Sequence, residues 1–519
     1  MKVRSLKIRR FKNLEDLEVQ FDPASLATVV LGQNGTGKSN LLEALVVVFR
    51  DLDLAEPPSF EYKIAYECRG KEIRVVAPEV GKSASIHISV DGDPISYSAF
   101  SREPGRRYLP SNVFGYYSGP SARFESHFAK HQEKFYRQLL EGDAGEALRP
   151  MFYARLIHSQ FVLLSFFYEQ ATEGSSFLRD YLGIEDLDSV LFVLAQPTWN
   201  SRQGDPRFWF AKGAVQGLLD KLFTYSLAPL RLSQRIDLGL GKTSRRERLY
   251  LFLRDRRSLE RLRADYATPN AFFKALESTY LSTLLAEVRI RVTMRGSHGS
   301  LTFRELSEGE QQLLTVIGLL RFTREEEALF LLDEPDTHLN PVWSLHYLDL
   351  LSDVVGPQNT SQIIMTTHDP LTIAGLTRNA VRVMVRDENT GRITAQIPEH
   401  DPRGMGVRGI LTSELFGLRS DLDLETLQLL DEKRDLASKE VLTDQDKLRL
   451  AELRQRTDAI DMSGRVSDPI ISEVVKALSS SPEFRSNRKA ALTPDQQKRR
   501  RRVAEEAIRK VTETKERLG

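Results

Sequence analysis

Apolar and polar residues alternate along much of the first 120 residues, which is the pattern of half-buried β-strands. The alternation covers residues 3–8, 61–77 and 86–97, and it is broken at Arg69-Gly70 and at Asp91-Gly92-Asp93 by turn residues typical of hairpins. Two short runs, 26–31 and 112–117, are mainly apolar without alternation, as in strands buried on both faces. The pattern therefore predicts an antiparallel sheet together with a buried sheet.

The middle of the chain has a different periodicity. Residues 155–168 run from polar to fully apolar, and residues 216–263 are expected to be mostly helical. Strand patterns return at 287–294, 301–303, 329–332 and 362–367, with an apolar helical stripe at 313–320 between them. The last hundred residues are charged and predict helices over 425–439, 444–460 and beyond Thr493. The chain as a whole is expected to be of the α/β class.

Composition limits the classes of function. The chain has 519 residues, 28% charged and 41% hydrophobic, with a net charge of +1. Overall charge therefore gives no reason to expect a nucleic-acid partner, and any such contact must come from a local patch. A single cysteine, Cys68, is compatible with a reducing compartment. The longest apolar runs fall far short of the roughly 20 residues that span a bilayer, so a cytoplasmic protein without a membrane partner is expected.

The first candidate binding motif directly follows the buried strand predicted at 26–31. The sequence GQNGTGKS matches the phosphate-binding pattern G-x-x-x-x-G-K-[ST] between a strand and a helix. Glycines allow backbone N–H groups to face phosphate, the lysine reaches the terminal phosphates, and the serine hydroxyl can bind magnesium. The candidate ATP-binding residues are Gly32, Gln33, Asn34, Gly35, Thr36, Gly37, Lys38, Ser39 and Asn40. Lys12 could also reach phosphate, or it could be a solvated surface lysine.

A second candidate anion site opens the helix that follows residues 301–303. Ser307 and Glu310 have the S-x-x-E spacing of a capping box. Gly309 lies between them and adds no side chain at a helix N-terminus, where free N–H groups favour an anion.

Two adjacent acids follow the short apolar strand at 329–332. Asp333 can hold magnesium at the strand end, and Glu334 can accept a proton from an attacking water. Paired carboxylates at a buried strand tip are costly without a cation, which favours a functional role. Asp336 begins the next turn, and His368 ends the strand at 362–367, where it can donate a hydrogen bond to a terminal phosphate.

In this order, LSEGEQ, LLDEPDTHLNP and TTHDP resemble the SMC-class ABC ATPases, in which the LSxGE motif of one subunit closes over nucleotide held by another. The resemblance implies an ABC-type head with a mixed sheet, ATP and Mg²⁺ as cofactors, and head-to-tail dimers. By the same resemblance Glu334 is the general base, His368 the switch histidine, and Asp336 the residue that communicates between subunits. Such ATPases also need a glutamine that contacts magnesium; Gln160 is the candidate, and a polar residue on a core helix is the alternative.

The insert between Lys38 and Ser307 is long but lacks sustained heptads, unlike the long-armed members of that class. The stretches NVFGYYSGPSARFE, RLIHSQFVLLSFF and RGILTSELFGL resemble stand-alone ATPases of bacterial anti-phage systems, above all the Septu ATPase subunit, which also occurs with retrons. This resemblance implies an HNH-type nuclease partner, homo-oligomers, and DNA or retron nucleic acid as a further candidate partner.

Four segments are expected: an N-terminal ATPase lobe (1–120), a mainly helical insert (121–285), a C-terminal ATPase lobe (286–400) and a helical partner-binding region (401–519). Two basic clusters, within 231–263 and at Lys498–Arg502, are either solvated faces or surfaces for nucleic acid or an acidic partner. Two rival functions remain open. One is an OLD-type nuclease using Asp421 and Asp423, and the other is a RecF-like DNA repair ATPase.

Overall fold

The computed structural model describes all residues except 80–85, 103, 143–148, 169–172, 200–202, 238–242, 297–299, 323–326, 356–359, 440, 459–477, 479–480, 485–492 and 517–519. The chain groups into two compact units. The first unit comprises Met1–Val30, Gly35–Thr372 and Arg386–Ala395, and the second comprises Leu31–Asn34, Ile373–Val385 and Gln396–Gly519. The four-segment organisation expected from the sequence remains a prediction.

The strands are β1 (Lys2–Phe11), β2 (Leu14–Gln20), β3 (Ala27–Gly32), β4 (Tyr62–Cys68), β5 (Lys71–Ala77), β6 (His87–Val90), β7 (Asp93–Ile95), β8 (Asn112–Tyr117), β9 (Met151–Tyr153), β10 (Ile184–Ala195), β11 (Leu230–Asp237), β12 (Thr243–Leu253), β13 (Leu285–Met294), β14 (Ser300–Thr302), β15 (Ala328–Asp333), β16 (Gln362–Thr366), β17 (Val381–Arg386) and β18 (Ile393–Gln396).

The α-helices are α1 (Lys38–Leu54), α2 (Tyr97–Phe100), α3 (Ala129–Glu141), α4 (Ile157–Tyr168), α5 (Glu173–Leu182), α6 (Gly213–Tyr225), α7 (Arg256–Arg263), α8 (Pro269–Leu281), α9 (Glu308–Phe322), α10 (Pro341–Val355), α11 (Gly406–Thr412), α12 (Leu424–Ala437), α13 (Asp444–Asp458) and α14 (Pro494–Glu516). In the described part of the chain, none of these helices is long and apolar enough to cross a membrane.

Two sheets of the first unit correspond to the two strand patterns of the N-terminal sequence. The alternating segments form an antiparallel sheet in the order β2-β1-β4-β5-β6-β7. The fully apolar segments join a parallel sheet in which β3, β16, β15, β8 and β9 are neighbours in that order. Because parallel strands all end at the same edge, the residues that follow β3, β8, β15 and β16 meet there.

A third sheet lies in the insert, where mostly helical structure was expected. Its antiparallel order is β11-β12-β10-β13-β14, and the expectation of a helix through residues 243–253 is therefore wrong. Leu249, Leu251 and Leu253 are buried while Tyr250 and Phe252 are only partly so, a period of two that defines a strand. The basic residues before them at 245–248 mask this short alternation in the sequence.

Helix α4 is the apolar centre of the first unit, as its sequence predicted. It packs against α8 and α9, and residues 161–167 are all buried. A buried ionic cluster lies beside it, in which the Glu277 carboxylate binds Arg149 Nη2 at 2.6 Å and His158 Nε2 at 2.7 Å. The cluster joins α8 to α4 and to the segment before β9, so it holds the helical layer against the parallel sheet.

In the second unit, the helices expected from the charged C-terminal sequence are present as α12, α13 and α14. Asp423 caps α12 by accepting a hydrogen bond from Thr426 N, and Thr443 Oγ1 accepts one from Asp446 N at 3.1 Å. Arg449 of α13 binds Glu432 of α12 through Nε at 2.7 Å and Nη2 at 2.9 Å. These contacts show why the two charged helices lie together as a pair.

Candidate functional site

The phosphate-binding loop follows the buried strand β3 and leads into α1. Gly35 and Gly37 have φ values of +81° and +84°, which lie in the left-handed region that glycine tolerates best. A Cβ atom on Gly37 would stand 2.6 Å from Leu14 Cδ2, so a larger residue is excluded sterically as well. Asn13 Nδ2 donates to Gly35 O at 3.0 Å and holds the loop from the side of the antiparallel sheet.

Lys38 begins α1 close to two carboxylates. Its side chain is buried, and burial lowers the pKa of the ammonium group while the charges of Glu334 and Asp333 raise it. A lysine at this position can meet the terminal phosphates of a nucleotide because the loop brings it to the carboxyl edge of the parallel sheet.

Asp333 ends β15 with its carboxylate buried. Burial raises its pKa, and hydrogen bonds from the Thr366 and Ser39 hydroxyls oppose that rise. Thr366 Oγ1 lies 2.5 Å from Asp333 Oδ1. An adjacent hydroxyl and carboxylate are the hard oxygen ligands that Mg²⁺ takes. The Ser39–Asp333 contact therefore fits a magnesium site, with both predicted ligands already together.

Glu334 has a strained backbone, with φ of +53° in a region rarely occupied by residues other than glycine. Its N–H donates to Thr366 O at 3.2 Å, which fixes this conformation against β16. Its Oε1 lies 3.1 Å from His368 Nε2, and that hydrogen bond is the main cause of the lowered pKa of the Glu334 carboxyl. The strain directs a half-exposed carboxylate away from the strand, beside the predicted switch histidine.

Asp336 is buried, and it accepts hydrogen bonds from the hydroxyls of Thr367 and Thr372. Burial raises the pKa of its carboxyl, and these two hydrogen bonds act in the opposite direction. The residue therefore joins the turn after β15 to the segment that carries His368. Its predicted part in communication between subunits remains a prediction.

The helix predicted from S-x-x-E begins with the expected capping box. Ser307 Oγ accepts from Glu310 N at 3.3 Å, and Glu310 Oε2 accepts from Ser307 N at 2.7 Å. Gly309 is buried behind them, and a Cβ atom there would stand 2.3 Å from His338 O. Gln312 Nε2 donates to the carbonyls of Pro335 and, at 3.5 Å, Glu334. Helix α9, called the signature helix because it begins at the LSEGE motif (residues 306–310), therefore packs against the turn that follows Asp333.

For two further predicted ligands, no described side-chain contact tests the predicted role. The Lys12 ammonium forms an ion pair with the buried carboxylate of Glu43 on α1. Gln160 lies on α4, and among the described residues its buried Oε1 has no hydrogen-bond partner and no contact joins it to Ser39 or Asp333. Their proposed roles with phosphate and magnesium remain predictions.

The end of β8 borders Asp333. Tyr117 pairs with Asp333 across the sheet, and Ser118 N donates to Asp333 O at 3.3 Å. The signal for this position was present in the sequence, because the apolar run at 112–117 marks a buried strand that ends at the same edge as β15.

Sequence reasoning also missed a group of polar residues around Glu43. Arg123 binds Glu43 Oε1 at 2.6 Å, and His127 Nε2 lies 2.9 Å from Oε2. Burial would raise the pKa of this carboxyl, but hydrogen bonds from His127 and Lys12 outweigh burial and lower it. An acid inside an otherwise apolar helical stripe was the available signal. The group connects α1, which carries Lys38 and Ser39, to the start of the insert.

Two family models match the chain. "AAA ATPase domain" matches residues 1–93, and "AAA domain, putative AbiEii toxin, Type IV TA system" matches residues 197–374. These segments contain the phosphate loop, the signature residues, Asp333, Glu334 and His368. They indicate a nucleotide-binding ATPase.

Among curated proteins, Septu protein PtuA of Bacillus mycoides (strain KBAB4) is 31% identical over 156 residues, which is 28% of this chain and 21% of that protein. Septu protein PtuA of Bacillus thuringiensis is 29% identical over 162 residues, 28% of this chain and 40% of that protein. The chain therefore spans less than half the length of these two relatives. DNA replication and repair protein RecF of Listeria welshimeri is 44% identical over 48 residues, 9% of this chain. The predicted resemblance to SMC-like ATPases of the Septu type is confirmed.

Solved structures similar to this one include the SMC head domain from Thermotoga maritima, with 14% identity and a TM-score of 0.33, covering 77% of this chain and 100% of that chain. An SmcHead bound to the C-winged helix domain of ScpA matches with 13% identity and the same TM-score, covering 76% and 98%. The α/β fold of an ABC-type head, with its mixed sheets, agrees with the sequence prediction; it rests here on the sheet order and the place of the phosphate loop.

Proposed function

We propose that this chain binds and hydrolyses ATP with Mg²⁺, and that ATP joins two copies head to tail so that each completes the site of the other. The proposal rests on five side chains that lie together at one edge of the parallel sheet. They are those of Lys38, Ser39, Asp333, Glu334 and His368. Charge on the transferred phosphoryl group must be neutralised and a water must be placed in line with it.

The residues divide these tasks. Lys38 supplies positive charge at the terminal phosphates, and Ser39 and Asp333 would hold magnesium, which neutralises phosphate charge when bound. Glu334, a carboxylate that is ionised near neutral pH, accepts the proton of the attacking water. His368 orients Glu334 through their hydrogen bond and lies where it can also donate to phosphate.

Head-to-tail association is supported by the exposed residues at the start of α9 and on α10. Ser307 and Glu308 are exposed at the start of α9, where the positive end of the helix dipole favours an anion. On the adjacent α10, Val342 and Leu345 are 64% and 46% exposed. Apolar side chains beside an anion-binding helix end suit a surface that a second copy covers.

The biological role that we propose is control of a partner nuclease, of HNH type, in a bacterial anti-phage system. It is supported by the partial similarity to Septu proteins. DNA or retron nucleic acid, and a cytoplasmic site of action, belong to the same proposal.

The test uses Glu334→Gln, which keeps the shape of the side chain but cannot accept the proton. We expect it to bind ATP, to hydrolyse it at least about 100-fold more slowly, and to elute as a dimer or larger oligomer in size-exclusion chromatography with ATP. Glu18→Gln, an exposed change on β2, is the matched control. An unchanged elution profile of Glu334→Gln with ATP would refute ATP-dependent association.

The nuclease alternative is less well supported by the geometry of its two acids. Asp423 is engaged as the N-cap of α12, and Asp421 binds Arg408 at 3.2 Å. Incubating the purified chain alone with plasmid DNA and a divalent metal ion decides between the two functions. Cleavage that disappears in Asp421→Asn and Asp423→Asn would favour the OLD-type nuclease over our proposal.

A further inference from the structure

The second unit contains a cleft of about 310 Å³ between the start of α14 and the chain around α11. Four basic side chains and two acidic ones line it. These are Arg419, Lys498, Arg500, Arg501, Glu399 and Glu414. None of them belongs to the proposed ATP site.

Both acidic side chains of the cleft are already engaged. Glu399 Oε2 binds Arg501 Nη1 at 2.9 Å, and Glu414 Oε1 accepts the backbone N–H of Glu399. Arg419 is held by Asp431, a carboxylate on α12. The remaining positive charge of the cleft is therefore carried by Lys498 and Arg500.

Arg500 is a half-buried cation among other cations. Its Nε donates to Glu483 O at 2.6 Å, and its guanidinium lies 5.2 Å from the centre of the Phe484 ring. Burial lowers the pKa of Arg500, the charges of Arg419 and Arg434 act in the same direction, and the Asp431 carboxylate opposes them. Within the described residues, no acceptor binds its two terminal nitrogens or the Lys498 ammonium. Neighbouring like charges oppose one another, and an anion bound beside them relieves that cost.

We propose that this cleft binds a terminal phosphate, the phosphate monoester of a free mononucleotide or of the 5′ end of a short strand. A guanidinium presents paired donors that match phosphate oxygens, and an ammonium adds a point charge. Met405 and Leu418, which also line the cleft, offer apolar surface for a base. The volume suits a ligand of nucleotide size, whereas a duplex is far too wide to enter.

The test is isothermal titration of the full chain carrying Lys38→Ala, so that the phosphate loop does not contribute. The probes are AMP, adenosine, and a dinucleotide with either a 5′-phosphate or a 5′-hydroxyl. Lys498→Ala and Arg500→Gln are compared with Arg499→Ala. Arg499 is the control because it lies on the same helix, is exposed, and among the described residues hydrogen-bonds to Asp495 O of its own helix.

We expect binding only of probes with a terminal phosphate, weakened at least about tenfold by Lys498→Ala or Arg500→Gln and unchanged by Arg499→Ala. Binding of AMP identifies a free nucleotide as a source, and binding of the phosphorylated dinucleotide alone identifies a strand end. The absence of heat with every phosphorylated probe at about 1 mM, or equal loss in Arg499→Ala, would overturn the proposal. Lys498 is exposed, so its replacement tests the site without risk to folding. The ATPase rate, measured with Lys38 intact, should stay unchanged in both cleft variants.

Discussion

Replacing Gly309 with alanine adds one methyl group where the signature helix α9 contacts the turn after β15. That carbon would stand 2.3 Å from the carbonyl oxygen of His338, whereas carbon and oxygen ordinarily approach to about 3.3 Å. The obstacle is backbone, so no rotamer change relieves it, and the helix or the turn must move by about 1 Å. Overpacking of this kind costs about 1–3 kcal/mol.

The expected result is selective. The phosphate loop lies on other elements, so binding of a fluorescent ATP analogue should be retained. Association of Glu334→Gln with ATP should weaken at least about tenfold when Gly309→Ala is added, because the shifted helix N-terminus no longer meets phosphate held by the other copy. Analytical ultracentrifugation with and without ATP measures this association directly.

Two other glycines provide matched controls. A Cβ atom on Gly217 of α6 would meet no described atom within 4 Å apart from the backbone of its own helix, so alanine there should leave association unchanged. Gly318 lies on α9 itself, and its Cβ would meet Val162 Cγ1 at 2.1 Å, away from the signature end. Gly318→Ala should therefore lower thermal stability yet preserve ATP-dependent association. Normal association of Gly309→Ala, or equal loss of nucleotide binding, would refute the reasoning.

Three further predictions concern stability, metal dependence and reactivity. Glu277→Gln should destabilise the fold by about 3–5 kcal/mol in urea unfolding, because Arg149 keeps a buried charge without its carboxylate. The cationic partners of Glu277 lower the pKa of its carboxyl despite burial. The stability that the ionised carboxylate contributes is therefore present above its unfolded pKa and is lost as pH falls through the folded pKa. Thr366→Val removes a hydrogen bond to Asp333 and should raise the Mg²⁺ concentration needed for half-maximal ATPase activity, and an unchanged requirement would contradict the assigned metal ligand. Cys68, buried and with its thiol pKa raised to about 11 by burial, should react with a thiol reagent only after unfolding, so rapid labelling of the native chain would contradict the structure.

The parts of the site that could be predicted from the sequence depend on residues close together in the chain or on the order of strands and helices. The capping box needs only Ser307 and Glu310, three positions apart, and both of its hydrogen bonds are present. Asp333 and Ser39 come together because strand–loop–helix order places each at the same sheet edge. Local spacing and strand order are sufficient for such contacts.

Contacts that depend on packing between distant segments could not be predicted in this way. The charge of Lys12 suggested phosphate, but Glu43 is within its reach once α1 lies against the turn after β1. Gln160 was chosen for its place between polar and apolar sequence, and it lies on α4; its predicted contact with magnesium stays a prediction. For residues 243–253, basic and apolar residues fit a helix or a strand equally well, and pairing with β10 and β11 decides the outcome.

The contacts around Glu334 suggest how hydrolysis and association can be linked within one subunit. Gln312 ties α9 to the carbonyls of Glu334 and Pro335, and Asp336 ties the same turn to the segment that carries His368. We therefore expect a change at the terminal phosphate that moves His368 to shift the turn against which α9 packs. Since Gly309 leaves no space between α9 and that turn, the motion reaches the helix N-terminus that would hold the nucleotide of the other copy. Loss of the terminal phosphate would in this way loosen both sites of a head-to-tail pair.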